Sequence, residues 1–287
     1  MQAEDIAVAE PSTLSPEEEI FIFPTSFAQQ RLWFLDRLMP GHRLYVVDVA
    51  IHLEGNVEIS ALRWAVDALV ARHESFRTTF VAVDGKPFAR VNGSAKVAVE
   101  VDADPREFVR RTFDLERGPL LRVCFIPGQS LLLVCIHHIV TDGWSMHIFL
   151  RELSALYRAR RAGQPAVLAP LPIQYADFAV WQRQVLSGAR LKKLLAFWRG
   201  ELARAPILDL VPDRPRPAIP SFQGGSVPIT LASATTQKLQ VLAQEQGATL
   251  FMGLLTVFSV LLSRYSGQDD LVVGTRWPDA PEASWRD

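Results

Sequence analysis

Apolar residues run unbroken from Leu131 to Ile136, which predicts a strand buried on both faces. Beyond it Met146, Phe149, Leu150, Leu153, Leu156 and Tyr157 recur at helical spacing, predicting a helix that continues to Arg161. The upstream pattern alternates between the two periods. Ser26 and Gln29 have the spacing of a capping box and start a helix carrying Leu32, Phe34 and Leu35. Leu44–Leu53 reads as a strand ended by Glu54-Gly55-Asn56, and Ile59, Leu62, Val66, Leu69 and Val70 mark an amphipathic helix. Strands over Phe76–Val83 and Pro87–Val91 flank Asp84-Gly85, a strong hairpin turn, and Pro105 begins a short helix through Phe113. Downstream, the Pro-rich stretch Val211–Pro220 reads as a linker. A strand over Ser226–Leu231, a helix over Thr235–Gln246 and an apolar helix over Thr249–Tyr265 complete the pattern.

This order of helices and mostly antiparallel strands is α+β, without a glycine-rich phosphate loop. A chain of 287 residues, 49% apolar, can bury a sizeable core in one large domain or two small ones. Its net charge of −1 gives no electrostatic case for nucleic acid or an anionic membrane. Leu250–Leu262 is too short to span a bilayer and reads as a core helix. Residues 1–20 are acidic and read as a loose leader, with no secretory signal. The two cysteines, Cys124 and Cys135, flank the Pro127-Gly128-Gln129-Ser130 turn; buried thiols in a reducing cytoplasm are expected rather than a disulfide.

The candidate chemistry lies where the central strand gives way to its helix, in the run Ile136-His137-His138-Ile139-Val140-Thr141-Asp142-Gly143-Trp144-Ser145. Successive strand side chains face opposite ways, so one histidine supports the site from the packed side and the other faces a cavity. The helix start offers unpaired N–H groups that can stabilise a developing oxyanion, which makes acyl transfer one reading. A satisfied core histidine and an aspartate that merely caps the helix are the plainer alternatives. A metal held by His138 and Asp142 is a third, weakened because adjacent strand histidines diverge and only His147 is near in sequence.

The same ten residues resemble the HHxxxDG motif of condensation domains of non-ribosomal peptide synthetases. Ser26–Leu35 resembles that family's SxAQxRLWxL motif, Arg72–Phe80 its RHExLRTxF motif (with Phe76 for leucine), and Tyr175–Gln182 its YxDFAxWQ motif; Gln268–Thr275 also resembles family sequence, entering another strand. The resemblance implies a fold similar to chloramphenicol acetyltransferase, with two related subdomains around a tunnel. On that basis residues 21–182 form a complete first subdomain, 183–225 a connecting helix and linker, and 226–275 the start of a truncated second subdomain. Arg276 stands where the family has proline, and 276–287 match nothing in it.

The implied activity is amide formation between donor and acceptor thioesters. These arrive on the phosphopantetheine arms of peptidyl and aminoacyl carrier proteins, beside adenylation domains of one cytoplasmic assembly line, with no cofactor bound directly. His138 then handles the amine, and Gly143 lets backbone approach substrate or takes unusual dihedrals. His137 supports the strand end, and Asp142 forms a structural pair with Arg77. Arg31, Trp33, Tyr175 and Trp181 serve packing. The wording of the motif is similar to the class joining two L-residues, and His137 and His138 argue against the cyclisation class. A non-catalytic remnant or docking fragment, or a related HxxxD acyltransferase, is the alternative.

Overall fold

The computed structural model describes residues 19–215, 217–218 and 224–275. It divides into two compact units, the first running to Gly188 and the second beginning at Ala189. The first unit contains β1 (Ile20–Pro24), α1 (Phe27–Leu38), β2 (Val46–His52), α2 (Ile59–Arg72), a 3-10 turn (Glu74–Arg77), β3 (Thr78–Val83) and β4 (Lys86–Asn92). It continues with β5 (Val99–Val101), α3 (Pro105–Arg110), β6 (Leu121–Ile126), β7 (Leu131–His137), α4 (Gly143–Arg161) and α5 (Tyr175–Val185).

Two sheets result. One has the order β1-β4-β3, all antiparallel; the other has the order β2-β7-β6-β5, with β5 parallel to β6 and the remaining pairs antiparallel. The central strand β7 is apolar throughout because both of its faces are covered. Leu132, Val134 and Ile136 meet α2 and α4 through Leu62, Val66, Leu69, Phe149 and Leu153. The alternate residues Leu133 and Cys135 pack with Cys124 and the fully buried Phe108 of α3. Each large aliphatic or aromatic side chain so enclosed contributes about 1.5–3 kcal/mol. The hairpin between β3 and β4 turns on Asp84 (φ 50°) and Gly85 (φ 74°), the left-handed pair that a two-residue turn between twisted strands requires.

Some expectations shift. β1 begins at Ile20, inside the stretch read as a leader; residues 1–18 lie outside the described residues. In α1 it is Trp33 rather than Phe34 that enters the core, Phe34 being 58% exposed. β5 is a short strand that the pattern did not mark, and α3 stops at Arg110, three residues before Phe113. Both cysteines are free thiols. Cys124 faces Leu133 and Cys135 faces Arg122, so the pair is diagonal, at about 7–8 Å, beyond the reach of a disulfide.

The second unit holds α6, which starts at the boundary (Gly188–Glu201), α7 (Ser233–Glu245) and α8 (Leu250–Ser266). The helices over 235–246 and 249–265 are therefore present, but neither expected strand is. Ser226–Leu231 and Gln268–Thr275 form no strand, and no partner strand exists among the described residues of this unit. The expected core helix is also corrected. α8 forms, capped by Thr249 Oγ1 accepting from Met252 N at 3.2 Å, yet none of its residues is buried, and Phe251, Val257, Phe258 and Leu261 stand about half exposed. Residues 276–287 lie outside the described residues. No single described helix is long and apolar enough to cross a membrane; α7 and α8, bent by 104°, have the combined length and composition.

Candidate functional site: the histidine loop

β7 ends at His137 and α4 begins at Gly143, so the five residues 138–142 form the loop that carries the candidate chemistry. The two histidines are held very differently. His137 is 5% exposed, opposite Val46 of β2, with its ring edge against Phe113. Its Nδ1 accepts from Ile139 N at 3.2 Å, which places the proton of the neutral ring on Nε2. Burial first, then the neighbouring His138 and His42 charges, push its pKa down from 6.5 to about 4. His138 is half-buried. Its backbone N donates to Tyr45 O at 2.7 Å, while its ring makes no hydrogen bond among the described residues. One histidine is thus a neutral support and the other carries an uncommitted imidazole, as the alternation along the strand requires.

The other motifs form the frame around this loop. Ser26 and Gln29 close a capping box on α1, and the buried Gln29 then donates from Nε2 to Ile139 O at 3.3 Å, tying α1 directly to the loop. Ser26 Oγ lies 3.1 Å from the Tyr175 hydroxyl of α5. Burial raises the Tyr175 pKa; the Ser26 bond opposes that rise and the Asp142 charge adds to it. α5 also grips the start of α1: Gln182 Oε1 accepts from Phe27 N at 2.9 Å, and Arg183 Nε donates to Thr25 O at 2.8 Å. Trp33 is core and Tyr175 a strut, whereas Arg31 is solvent-exposed. Sequence reasoning passed over Gln29 and Tyr45 as loop anchors. A glutamine in a capping box is already accounted for by its helix, and a backbone carbonyl leaves no signature in side-chain identity.

Asp142 is not paired with Arg77, which corrects the expectation. Its Oδ1 accepts from Ser145 N at 2.8 Å and Ser145 Oγ at 2.6 Å, making it the N-cap of α4. Arg77 instead donates to Asn92 O at 2.6 Å and to Glu74 Oε1 at 3.4 Å. The reason is local. Arg77 leaves the 3-10 turn beside β4 with a carboxylate three residues behind it, while the orphan donors at the start of α4 claim Asp142. Asp142→Ala is therefore expected to cost about 0.5–2 kcal/mol, the range of a lost cap. Combined with Arg77→Ala in denaturant unfolding it should be additive; a coupling above about 0.5 kcal/mol would restore the pair. Gly143 opens α4 without a left-handed φ, so it is not there for unusual dihedrals. A carboxylate already occupying the helix start also makes that end a poor place for a second anion.

The buried ion pair of the region lies elsewhere. Glu152 of α4, with a side chain 6% exposed, accepts from Arg72 Nε at 3.1 Å and lies 2.7 Å from His73 Nε2. Arg72 and His73 open the second motif, and Gln174 Nε2 donates to Arg72 O at 3.0 Å. This motif thus locks α2, α4 and the start of α5 together behind the loop.

His137 gives a pH signature. A histidine depressed from 6.5 to about 4 in the fold binds its proton more readily when unfolded. Stability is then full above about pH 6.5 and falls as pH drops toward 4, by up to about 3 kcal/mol. His137→Asn keeps an acceptor for Ile139 N and should flatten that slope in urea titrations between pH 7 and 4.5. An unchanged slope would assign the acid sensitivity to other groups.

Among the described residues no three of His, Cys, Asp and Glu converge as a metal site. What the loop offers is one accessible imidazole, fixed by backbone bonds at positions 137–140 and backed by a neutral histidine. That suits proton transfer or hydrogen bonding to a neutral nucleophile.

Comparison with known proteins identifies the family. The family model described as "Condensation domain" matches residues 21–279. The chain is 42% identical to malpinin synthetase of Mortierella alpina, over 88% of its own length and 4% of that protein. It is also 42% identical to phosphinothricin tripeptide synthetase PhsC of Streptomyces viridochromogenes, over 88% of this chain and 25% of that one. Among solved structures, the X-domain from teicoplanin biosynthesis superposes with TM-score 0.74 at 30% identity, covering 90% of this chain and 59% of that one. The SgcC5 protein from Streptomyces globisporus gives 0.67 at 29% identity, covering 86% and 61%. The chain therefore spans about three fifths of these solved chains and a small part of the synthetases. With the motifs, the fold and the family model in accord, the chain belongs to the condensation domain family.

Proposed function

We propose that this chain is the part of a peptide-synthetase condensation domain that carries its histidine loop, and that the intact domain joins two carrier-bound acyl groups through an amide. The carrying observation is the contrast within the histidine pair: His137 is buried and neutral, while the half-buried His138 has no ring partner among the described residues. In this reading the acceptor's free amine attacks the donor thioester carbonyl, and His138 orients the amine and accepts its proton. The C–N bond forms, the C–S bond breaks, and the donor's thiolate leaves and is protonated. Phosphopantetheine arms belong to the substrates' carriers, so the reading requires no resident cofactor. Peptidyl and aminoacyl carrier proteins are the partners, supplied by adenylation domains of the same assembly line. Cytoplasmic residence goes with that reading.

A second reading, a non-catalytic fragment, draws support from the second unit, where an apolar helix is left uncovered. The test is dipeptide formation from loaded donor and acceptor carriers, run on residues 1–287 and on the chain continued through a whole family domain. Activity in the continued chain alone supports the proposal, and activity in neither supports the fragment. Enzyme-like turnover by residues 1–287 would show that the uncovered helix is no obstacle.

A further inference from the structure

At the end of β7 remote from the histidine loop, the edge strand β2 and the last turns of α4 diverge and leave a cleft of about 280 Å³. Leu132 to His138 is six residues of strand or its continuation, so the two places are about 20 Å apart. The cleft walls are aliphatic, among them Ile51, Leu53, Leu62, Leu132, Leu150 and Leu153, and several also belong to the main core. Its rim is polar and asymmetric. Tyr157 Oη accepts from Glu58 N at 2.9 Å, leaving the phenol proton to donate. Arg161 reaches Asn56 O at 3.4 Å and lies 6.0 Å from the Tyr157 ring, with no carboxylate within ion-pair distance among the described residues. Glu54 is the acidic member of the rim and is solvent-exposed, so it opposes an anion only through water.

We infer that this cleft binds a linear aliphatic carboxylate of medium length, its chain along the leucines and its carboxylate between Arg161 and the Tyr157 hydroxyl. The walls account for the chain, since aliphatic walls with the polar groups gathered at the rim favour an apolar body. The rim accounts for the head. A guanidinium without an acidic partner and a phenol with a spare proton are two donors, and a carboxylate is acceptor-only. The site is separate from the histidine loop and does not depend on the condensation reading.

The test uses residues 1–287 titrated with decanoate, decanol and acetate by calorimetry and by protein NMR. Decanoate should bind saturably at one site, with shifts confined to the cleft-lining parts of β2, α2, β7 and α4 and to the 53–57 segment; acetate should not bind. Arg161→Gln should weaken decanoate about tenfold or more and leave decanol unchanged, because only the ionised head loses a charge-assisted bond. Ser154→Trp, at the exposed rim, should abolish binding of both without touching the core. Decanoate binding that survives Ser154→Trp, or shifts mapping to α8, would assign the ligand to exposed apolar surface and overturn the inference. Equal loss of decanoate and decanol in Arg161→Gln would overturn the carboxylate assignment.

Discussion

Replacing Glu152 with alanine is expected to destabilise the first unit by about 3–5 kcal/mol, the range for breaking a buried ion pair from one side. The carboxylate is almost fully enclosed, and it satisfies Arg72 Nε and His73 Nε2 together. Removing it leaves a guanidinium that is only 20% exposed without its counter-charge, facing the space the glutamate filled. Arg72 keeps its bond to Ala169 O, which holds the side chain in place and prevents it from simply swinging out to water. Glu152→Gln should cost less, since an amide oxygen still accepts one bond. Arg72→Met with Glu152→Leu should cost less than either loss of charge alone, because an apolar pair of similar volume leaves neither a guanidinium nor a carboxylate buried without its counter-charge. Urea unfolding with a constant m-value reads all three. A loss below about 1 kcal/mol in Glu152→Ala would mean that the pair is screened by water despite its burial.

The second large effect concerns chemistry. In the domain continued to family length, His138→Ala is expected to lower amide formation by about 10²–10⁴-fold, the usual contribution of a placed acid–base group. The fold should be untouched. His138 contributes its backbone N to Tyr45 O, a bond that alanine retains, and its ring has no hydrogen-bond partner among the described residues. Circular dichroism and melting temperature should therefore match the parent while turnover collapses. His137→Asn should do the opposite, changing acid stability more than turnover at neutral pH. Near-parent turnover from a folded His138→Ala protein would remove this residue from the mechanism.

Much of the frame could be read from the chain because it obeys local rules. The Ser26–Gln29 capping box, the Asp84-Gly85 turn and the strand-to-helix change around residues 137–143 depend on neighbours a few positions away, and all are present. The ion pairing was not legible, because a guanidinium selects its partner in three dimensions. Arg77 settled on Glu74 and the Asn92 carbonyl, and Asp142 on its own helix start. A sign of the true buried pair was nevertheless visible. Glu152 falls in the apolar stripe of α4, beside Phe149, Leu153 and Leu156, where a charge needs a partner. The strands expected over Ser226–Leu231 and Gln268–Thr275 failed for a different reason. Alternating residues, or a likeness to family sequence, permit a strand, but only a paired neighbour makes one. β1 was missed conversely: Ile20–Pro24 has no flanking turn signal, and its pairing with β4 decides the matter.

The two thiols set diagonally on β6 and β7 have a practical consequence. Both are wholly inaccessible, and burial raises their pKa values, so neither reacts while the four-stranded sheet is closed. Alkylation of Cys124 or Cys135 must wait for the strands to separate. The chain has no other cysteine, so it carries a built-in clock: the rate at which a thiol reagent consumes those two sulfurs, followed by mass, times the opening of the strand that ends in the histidine loop.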